Sequence, residues 1–235
     1  MIELYHGGPT GHSASALIAL AEKGLDFTSH PIDLAGGENH SEAFLELNPE
    51  GQVPVLLADG RTLTGTFHIL LYLDEAFPEP SLGGEGTQAR YAVHKWGKYV
   101  ETHIAPNLAI ARWAQLGGVA DARPERLPPA RAALWRQALA GFSQEQVAAA
   151  RQALEKAAAR VAQDAAATGW LAGAAYSMAD IAAYPHLAQF HALGIALPAG
   201  AQDWLARVAE RPAVREAAGD MPIVATMGPE PGRWG

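Results

Sequence analysis

The sequence predicts a small α/β domain followed by an all-helical domain. Three observations carry this. The first third places short apolar runs and helix-spaced stretches in the order β-α-β-(α)-β-β-α. A segment rich in proline, glycine and polar residues, "PEPSLGGEGTQ" (residues 78–88), then interrupts the pattern as a linker. Beyond it the apolar residues recur at helical spacing. The predicted domains are residues 1–79 and 89–225.

"IELYH" (2–6) reads as a buried strand and "GGPTGHS" (7–13) as a turn-rich loop. In "SASALIALAEKG", Leu17, Leu20 and Ala21 share a helical face, and Gly24 suits the position just past the helix. "DFTSHPIDL" reads as a second strand, and "GGENHSEAFLELNP" as a loop with a short helix that stops before Pro49. "VPVLLADGRTLTG" is a hairpin turning on Asp59-Gly60, and a helix follows from Thr66 to Phe77. In the second domain, "ARYAVHKWGKYVETHIAPNLAIARWAQ" is one long helix or two meeting at Pro106. "GGVADARPERLPP" (117–129) breaks the helical pattern, which resumes with "ARAALWRQAL", "SQEQVAAARQALEKAAARVAQDAAA", "SMADIAAYPHLAQFHAL" and "AQDWLARVAERPAVREAA". Ser177 and Asp180 have capping-box spacing, with Tyr176 and Ile181 placed to staple the helix start, a structural role. The tail "GPEPGRWG" reads as irregular.

Composition narrows the function. Of 235 residues, 49% are hydrophobic and 18% charged, an ordinary globular balance. A formal net charge of −8 without a basic block argues against nucleic acid. There is no cysteine, which rules out disulfides, thiolate metal sites and a cysteine nucleophile, so any sulfur chemistry must use a ligand's sulfur. His94, His186 and His191 show no metal-ligand grouping and read as packing or surface residues, so no metal is expected. "MIELYHGG" does not read as a signal peptide and no apolar run is long enough to span a bilayer. A soluble cytoplasmic protein is the expectation.

The segments "ALAEKGLDF", "LNPEGQVPVLLADGRTL", "AAYSMADIA" and "WLARVAERPAV" together resemble the glutathione transferase family over nearly the whole chain. The resemblance implies a thioredoxin-like N-terminal domain, a helical-bundle C-terminal domain, and glutathione as the bound thiol. It also implies a cis bond before Pro54, with the Val53 main chain pairing with the cysteinyl part of glutathione. "GPTGHSASALIALAEKGLDF" and "PPARAALWRQALAGFSQEQ" are similar, more narrowly, to the bacterial glutathione-dependent β-aryl etherases, which cleave lignin-type ethers.

Ser13 is then the candidate catalytic residue, a hydroxyl at or near a helix N-terminus that could donate to the glutathione sulfur; Thr10 and Ser15 are rivals in the same loop. Gln52, His40 and Asn39 are candidates for the glycyl carboxylate or the γ-glutamyl group. The family's pair at the start of the following helix is acidic-then-Ser, where the carboxylate meets the γ-glutamyl ammonium. Here it stands as Gly65-Thr66. Thr66 keeps the hydroxyl, and the carboxylate is absent. Either Glu101 of a second subunit replaces it, or the chain binds glutathione poorly and is the non-catalytic half of a heterodimer. His12, Tyr99, His103, Trp113, Trp135 and Phe142 are candidates for the substrate pocket. The leading expectation is a β-etherase acting on an aromatic ether, as a homodimer or a heterodimer with a related subunit. A general detoxifying transferase is the alternative.

Overall fold

The computed structural model describes residues 1–34, 37–116 and 140–218, with positions 129, 132, 133 and 136 between them. Trp135, most of the "PPARAALWRQAL" segment and the C-terminal tail lie outside the described residues.

β1 (Ile2–His6) turns Leu4 and His6 inward and pairs on both sides. It runs parallel to β2 (Thr28–Pro31) and antiparallel to β3 (Val55–Ala58). β4 (Arg61–Thr64) completes a four-stranded sheet of order β2-β1-β3-β4. The parallel pair requires a crossover, and α1 (Gly11–Glu22) provides it. The β3–β4 turn is the expected one: Asp59 (φ 51°) and Gly60 (φ 72°) both take the left-handed conformation of the turn that matches strand twist. The short helix expected before Pro49 is α2 (Glu42–Leu47), and α3 (Thr66–Ala76) covers the sheet with Ile69, Leu70 and Leu73.

α1 begins at Gly11, earlier than its sequence suggests, with Thr10 as N-cap. Ser13, Ala14, Ser15, Ala16, Ile18, Ala19 and Leu20 are all buried, so the helix is covered nearly all round. Its last turn is locked by Lys23, whose Nζ donates to Asp74 Oδ1 (2.5 Å) and to the carbonyls of Phe77 (2.7 Å) and Pro80 (2.6 Å). Asp74 Oδ1 also accepts from the Leu82 amide (2.7 Å), so one buried ion pair fixes the connection between the sheet layer and the helices that follow.

In the helical half, α4 (Gly86–Tyr99), a π-helical segment (Val100–Ile104) and α5 (Ala105–Leu116) form one continuous rod. Of the two arrangements expected, one long helix or two meeting at Pro106, the structure has the first. Proline lacks the amide an interior helical residue would donate, and a wide π turn lies immediately upstream of it. α6 (Gln144–Thr168) starts on a full capping box between Ser143 and Gln146. α7 (Met178–Leu187), α8 (Ala199–Ala209) and α9 (Pro212–Ala218) complete the described chain. α7 ends sooner than its apolar pattern suggests, with Pro185 in its last turn.

The Ser177–Asp180 capping box is present in full. Asp180 is fully buried, and its carboxylate accepts from the Ser177 amide (3.0 Å), the Ser177 hydroxyl (3.2 Å), the Leu171 amide (3.1 Å) and Trp204 Nε1 (2.8 Å). Asp180→Ala strands these donors in the core and should cost about 3–5 kcal/mol of stability in urea unfolding. Asp180→Asn keeps an acceptor for Leu171 and Trp204 and should recover part of it.

Candidate functional site

The segment entering β3 is held by side-chain amides. Asn48 Oδ1 accepts from the Glu50 amide (3.1 Å), and its Nδ2 donates to the Gln52 carbonyl (2.7 Å). Buried Asn39 donates to the Gly51 carbonyl (2.8 Å). Gly51 has φ 60°, and a Cβ there would sit 3.0 Å from the Asn39 carbonyl oxygen, so the tight turn requires glycine. It delivers a cis Val53–Pro54 bond at the edge of a cavity of about 550 Å³.

Two helix N-termini open onto the same cavity: Gly11 and His12 at the start of α1, and Gly65 and Thr66 at the start of α3. Neither has an acidic residue in its first turn or a side-chain cap, which leaves their amides facing any anion that binds. Gly65 (φ 80°, ψ 113°) occupies backbone that a side-chain-bearing residue adopts only under strain, and a Cβ would lie 3.0 Å from His68 Nδ1.

The opposite wall is helical. Gly97 permits it to come close: a Cβ there would lie 2.3–2.4 Å from the Phe67 ring atoms of α3. His94 meets the same ring edge-on (5.8 Å), so the His94–Gly97 face of the rod looks at the start of α3. Glu101, one turn further on, lines the cavity together with Gly65 and Thr66. This carboxylate belongs to the same chain, whereas the sequence reading sought it in a second subunit. Deeper along the rod come Leu108, Ala109 and Arg112, and α7 adds His186 and Gln189.

His12 and His186 pack edge to face at 4.7 Å. His186 Nδ1 lies 3.0 Å from the Ala182 carbonyl, which can only accept; the proton is therefore on Nδ1 and Nε2 is an acceptor. Burial pushes His12 down to about 4. Burial, helped by His12 and by the Arg112 charge, holds His186 well below its ordinary range, so both rings are neutral at pH 7. Arg112 is lowered by burial to about 10 and remains a cation.

The structure thus brings together His12, Asn39, Gln52, Val53, Pro54, Gly65 and Thr66 around one cavity. Other expected residues lie elsewhere. Ser13 is 1% exposed, its Oγ accepts from the Gly7 amide (3.0 Å), and it does not line the cavity. Ser15 is in the core, donating to the Ile181 carbonyl (3.1 Å). Thr10 is partly exposed at the N-cap. Tyr99 stacks on His103 (4.8 Å) and lies under the Arg160 guanidinium, on another face of the rod. Trp113 and Phe142 are partly buried away from the cavity lining, and His40 borders a separate surface depression beside α2. Arg112, His186 and Gln189 were not anticipated as site residues.

Residues 12–76 match the family model for the glutathione S-transferase N-terminal domain, and residues 144–216 that for the C-terminal domain. Protein LigF of Sphingobium sp. (strain NBRC 103272 / SYK-6) is 30% identical over 241 residues, which cover 92% of each chain. The chain belongs to the glutathione S-transferase family. The crystal structure of β-etherase LigF from Sphingobium sp. strain SYK-6 matches this transferase with a TM-score of 0.84 at 29% identity, covering 92% of this chain and 98% of that one. A maleylacetoacetate isomerase of Pseudomonas aeruginosa is 48% identical, but over 68 residues, 28% of this transferase and 32% of the isomerase. The sheet domain is accordingly the thioredoxin-like half of a glutathione transferase fold and the rod belongs to its helical half.

The two neutral histidines give the transferase an acid-sensitive seam. The unfolded chain binds a proton at His12 near pH 6.5, whereas the native chain does so near 4. Stability from this group is present above pH 6.5 and lost as pH falls toward 4, by up to about 3 kcal/mol, with His186 acting in the same direction. Urea midpoints should therefore drop between pH 7.5 and 5, and His12→Gln should flatten that drop. An equal drop in the variant would place the acid sensitivity elsewhere.

Proposed function

We propose that this transferase uses the glutathione thiolate to displace an aryloxy group from a carbon next to a ketone, as a β-etherase of lignin-derived aromatics. The observation that carries this reading is the likeness to β-etherase LigF along nearly the entire chain, helical half included. The helical half forms the wall an electrophile would face. The likeness to the isomerase covers less than a third of the chain.

In this reading the γ-glutamyl carboxylate sits at the α3 amides and the Thr66 hydroxyl, and the cysteinyl backbone pairs with Val53. The sulfur faces the first-turn amides of α1, whose partial positive charge favours the thiolate. Sulfur attacks the ether carbon, the C–S bond forms as the C–O bond breaks, and the electron pair leaves on phenolate, which takes a proton from water. The protein contributes positioning and charge stabilisation. Ser13 acts by holding Gly7 and with it the loop before α1. The enzyme would work in the cytoplasm, as a homodimer or with a related subunit.

The carboxylate missing at Gly65 is supplied, in this reading, by Glu101 of the same chain, which meets the γ-glutamyl ammonium. Glu101→Gln should weaken glutathione binding about ten- to a hundredfold by calorimetry. Gly65→Glu should not tighten it, because the backbone there has φ 80°.

The activity is tested by incubating the purified chain with glutathione and a β-aryloxy ketone and following phenol release. Phenol and thioether in equal amounts are expected, and Ser13→Ala should slow their appearance by less than about tenfold. Conjugation of 1-chloro-2,4-dinitrobenzene without phenol release would make this a general transferase. Glutathione binding without either reaction would favour the non-catalytic subunit.

A further inference from the structure

Glu101 and Arg112 stand eleven residues apart on the rod and both line the cavity. Glu101 lies in the π-helical segment and Arg112 in α5, and since both line one cavity their side chains face the same way, with a stretch of rod on the order of 15 Å between them. The cavity therefore has an acidic end beside Gly65 and Thr66 and a basic end beside His186 and Gln189. Among the described residues, Glu101 is the one acidic side chain that lines it.

We propose that Arg112 is a specificity-determining residue that selects electrophiles carrying an anionic oxygen, a carboxylate or a phenolate, on their aromatic portion. This rests on the reading that glutathione occupies the Gly65–Glu101 end. With the γ-glutamyl ammonium at Glu101, the tripeptide's sulfur comes to lie part-way along the rod, level with the start of α1. Arg112 then lies beyond the sulfur, where the second substrate must sit.

The surroundings sharpen the argument. The guanidinium is largely withdrawn from water yet remains protonated, so an anion arriving there meets a charge that solvent screens weakly. Neither neighbouring histidine competes with it as a cation, and His186 Nε2 is an acceptor suited to a hydroxyl on the same ring. Gln189 donates to the Pro185 carbonyl (2.8 Å), which fixes its side-chain amide at the cavity's edge. A planar fork beside one neutral acceptor fits a ring with an acidic oxygen better than a purely apolar electrophile.

The test uses two glutathione conjugates of near-identical shape, S-(4-carboxybenzyl)glutathione and S-(4-carbamoylbenzyl)glutathione, titrated calorimetrically into the full chain. The unaltered protein should bind the carboxylate conjugate about ten- to a hundredfold more tightly than the amide. Arg112→Met should abolish that preference while leaving affinity for glutathione itself unchanged, and Arg112→Lys should keep part of it. Equal binding of the two conjugates by the unaltered chain overturns the inference without any variant having to fold. So does an equal loss by Arg112→Met for glutathione and both conjugates, which would put Arg112 on the glycyl carboxylate. If neither conjugate nor glutathione binds, the glutathione reading fails first and takes this inference with it. Glutathione binding with no conjugate preference sinks the Arg112 assignment alone.

Discussion

The buried carboxylate of Asp180 is the constraint on which the site depends. Burial raises its pKa, and the hydrogen bonds from Trp204, Leu171 and Ser177 offset that shift in part. These donors come from α8, from the segment before α7 and from the α7 cap, so one group sets where α7 begins and how it is rotated. A helix of only ten residues has little stability of its own, so its placement comes from such tertiary contacts. Once α7 starts at Met178, Ile181 and His186 follow at fixed positions on it.

That rotation joins the two halves of the molecule. Pro185 has no amide to give the carbonyl four residues earlier, that of Ile181. Ser15 of α1 donates to that carbonyl, so a hydroxyl in one domain satisfies a vacancy made by a proline in the other. Arg211 adds a bidentate pair to Glu22 (2.6 and 2.7 Å) at the far end of α1. The same registration brings the His186 ring against His12 in the first turn of α1. The cavity wall is thus assembled from α1 and α7 by contacts that lie outside the cavity itself.

What the sequence made legible was local. The Asp59-Gly60 turn, the Ser177–Asp180 capping box, the short helix before Pro49 and the glycine closing α1 each follow from a few adjacent residues; the Ser143–Gln146 box has the same spacing and went unread. Pro54, Gln52 and Thr66 were found through resemblance and share one cavity. What the sequence left open was rotational. Tyr99, His103 and Trp113 are aromatic, as pocket residues often are, but one helical turn has several faces, and packing against other helices decides which is used; Phe142 lies just before α6, on no helix. Tyr99 is claimed by Arg160 of α6, something no spacing within "KYVETH" encodes. Ser13 stands near the helix N-terminus as expected, but α1 starts two residues earlier than the pattern suggests, so it falls in the first turn and is buried. Arg112 carried a usable signal: a lone cation within the apolar run "NLAIARWAQL" must face either water or a cavity.

Gly97 governs how closely the rod approaches the start of α3. The glycine lets the Phe67 ring press against the rod, which brings the π-helical segment beside the start of α3 and fixes Glu101 at that end. From there α5 runs on past the start of α1 toward α7, carrying Arg112 with it. The two side chains project from points on the order of 15 Å apart along the rod, so each acts most strongly on the part of a ligand nearest to it. A long, zwitterionic ligand would therefore enter in one orientation, its ammonium at Glu101 and its most acidic distal group at Arg112. In the proposed reading, stabilisation of a thiolate would fall to the oriented amides of α1, which need no titratable partner. In the proposed reading of this chain without cysteine, the amides at the start of α1 would set the reactivity of the bound thiol, and Glu101 and Arg112, among the described residues that line the cavity, would set what meets it.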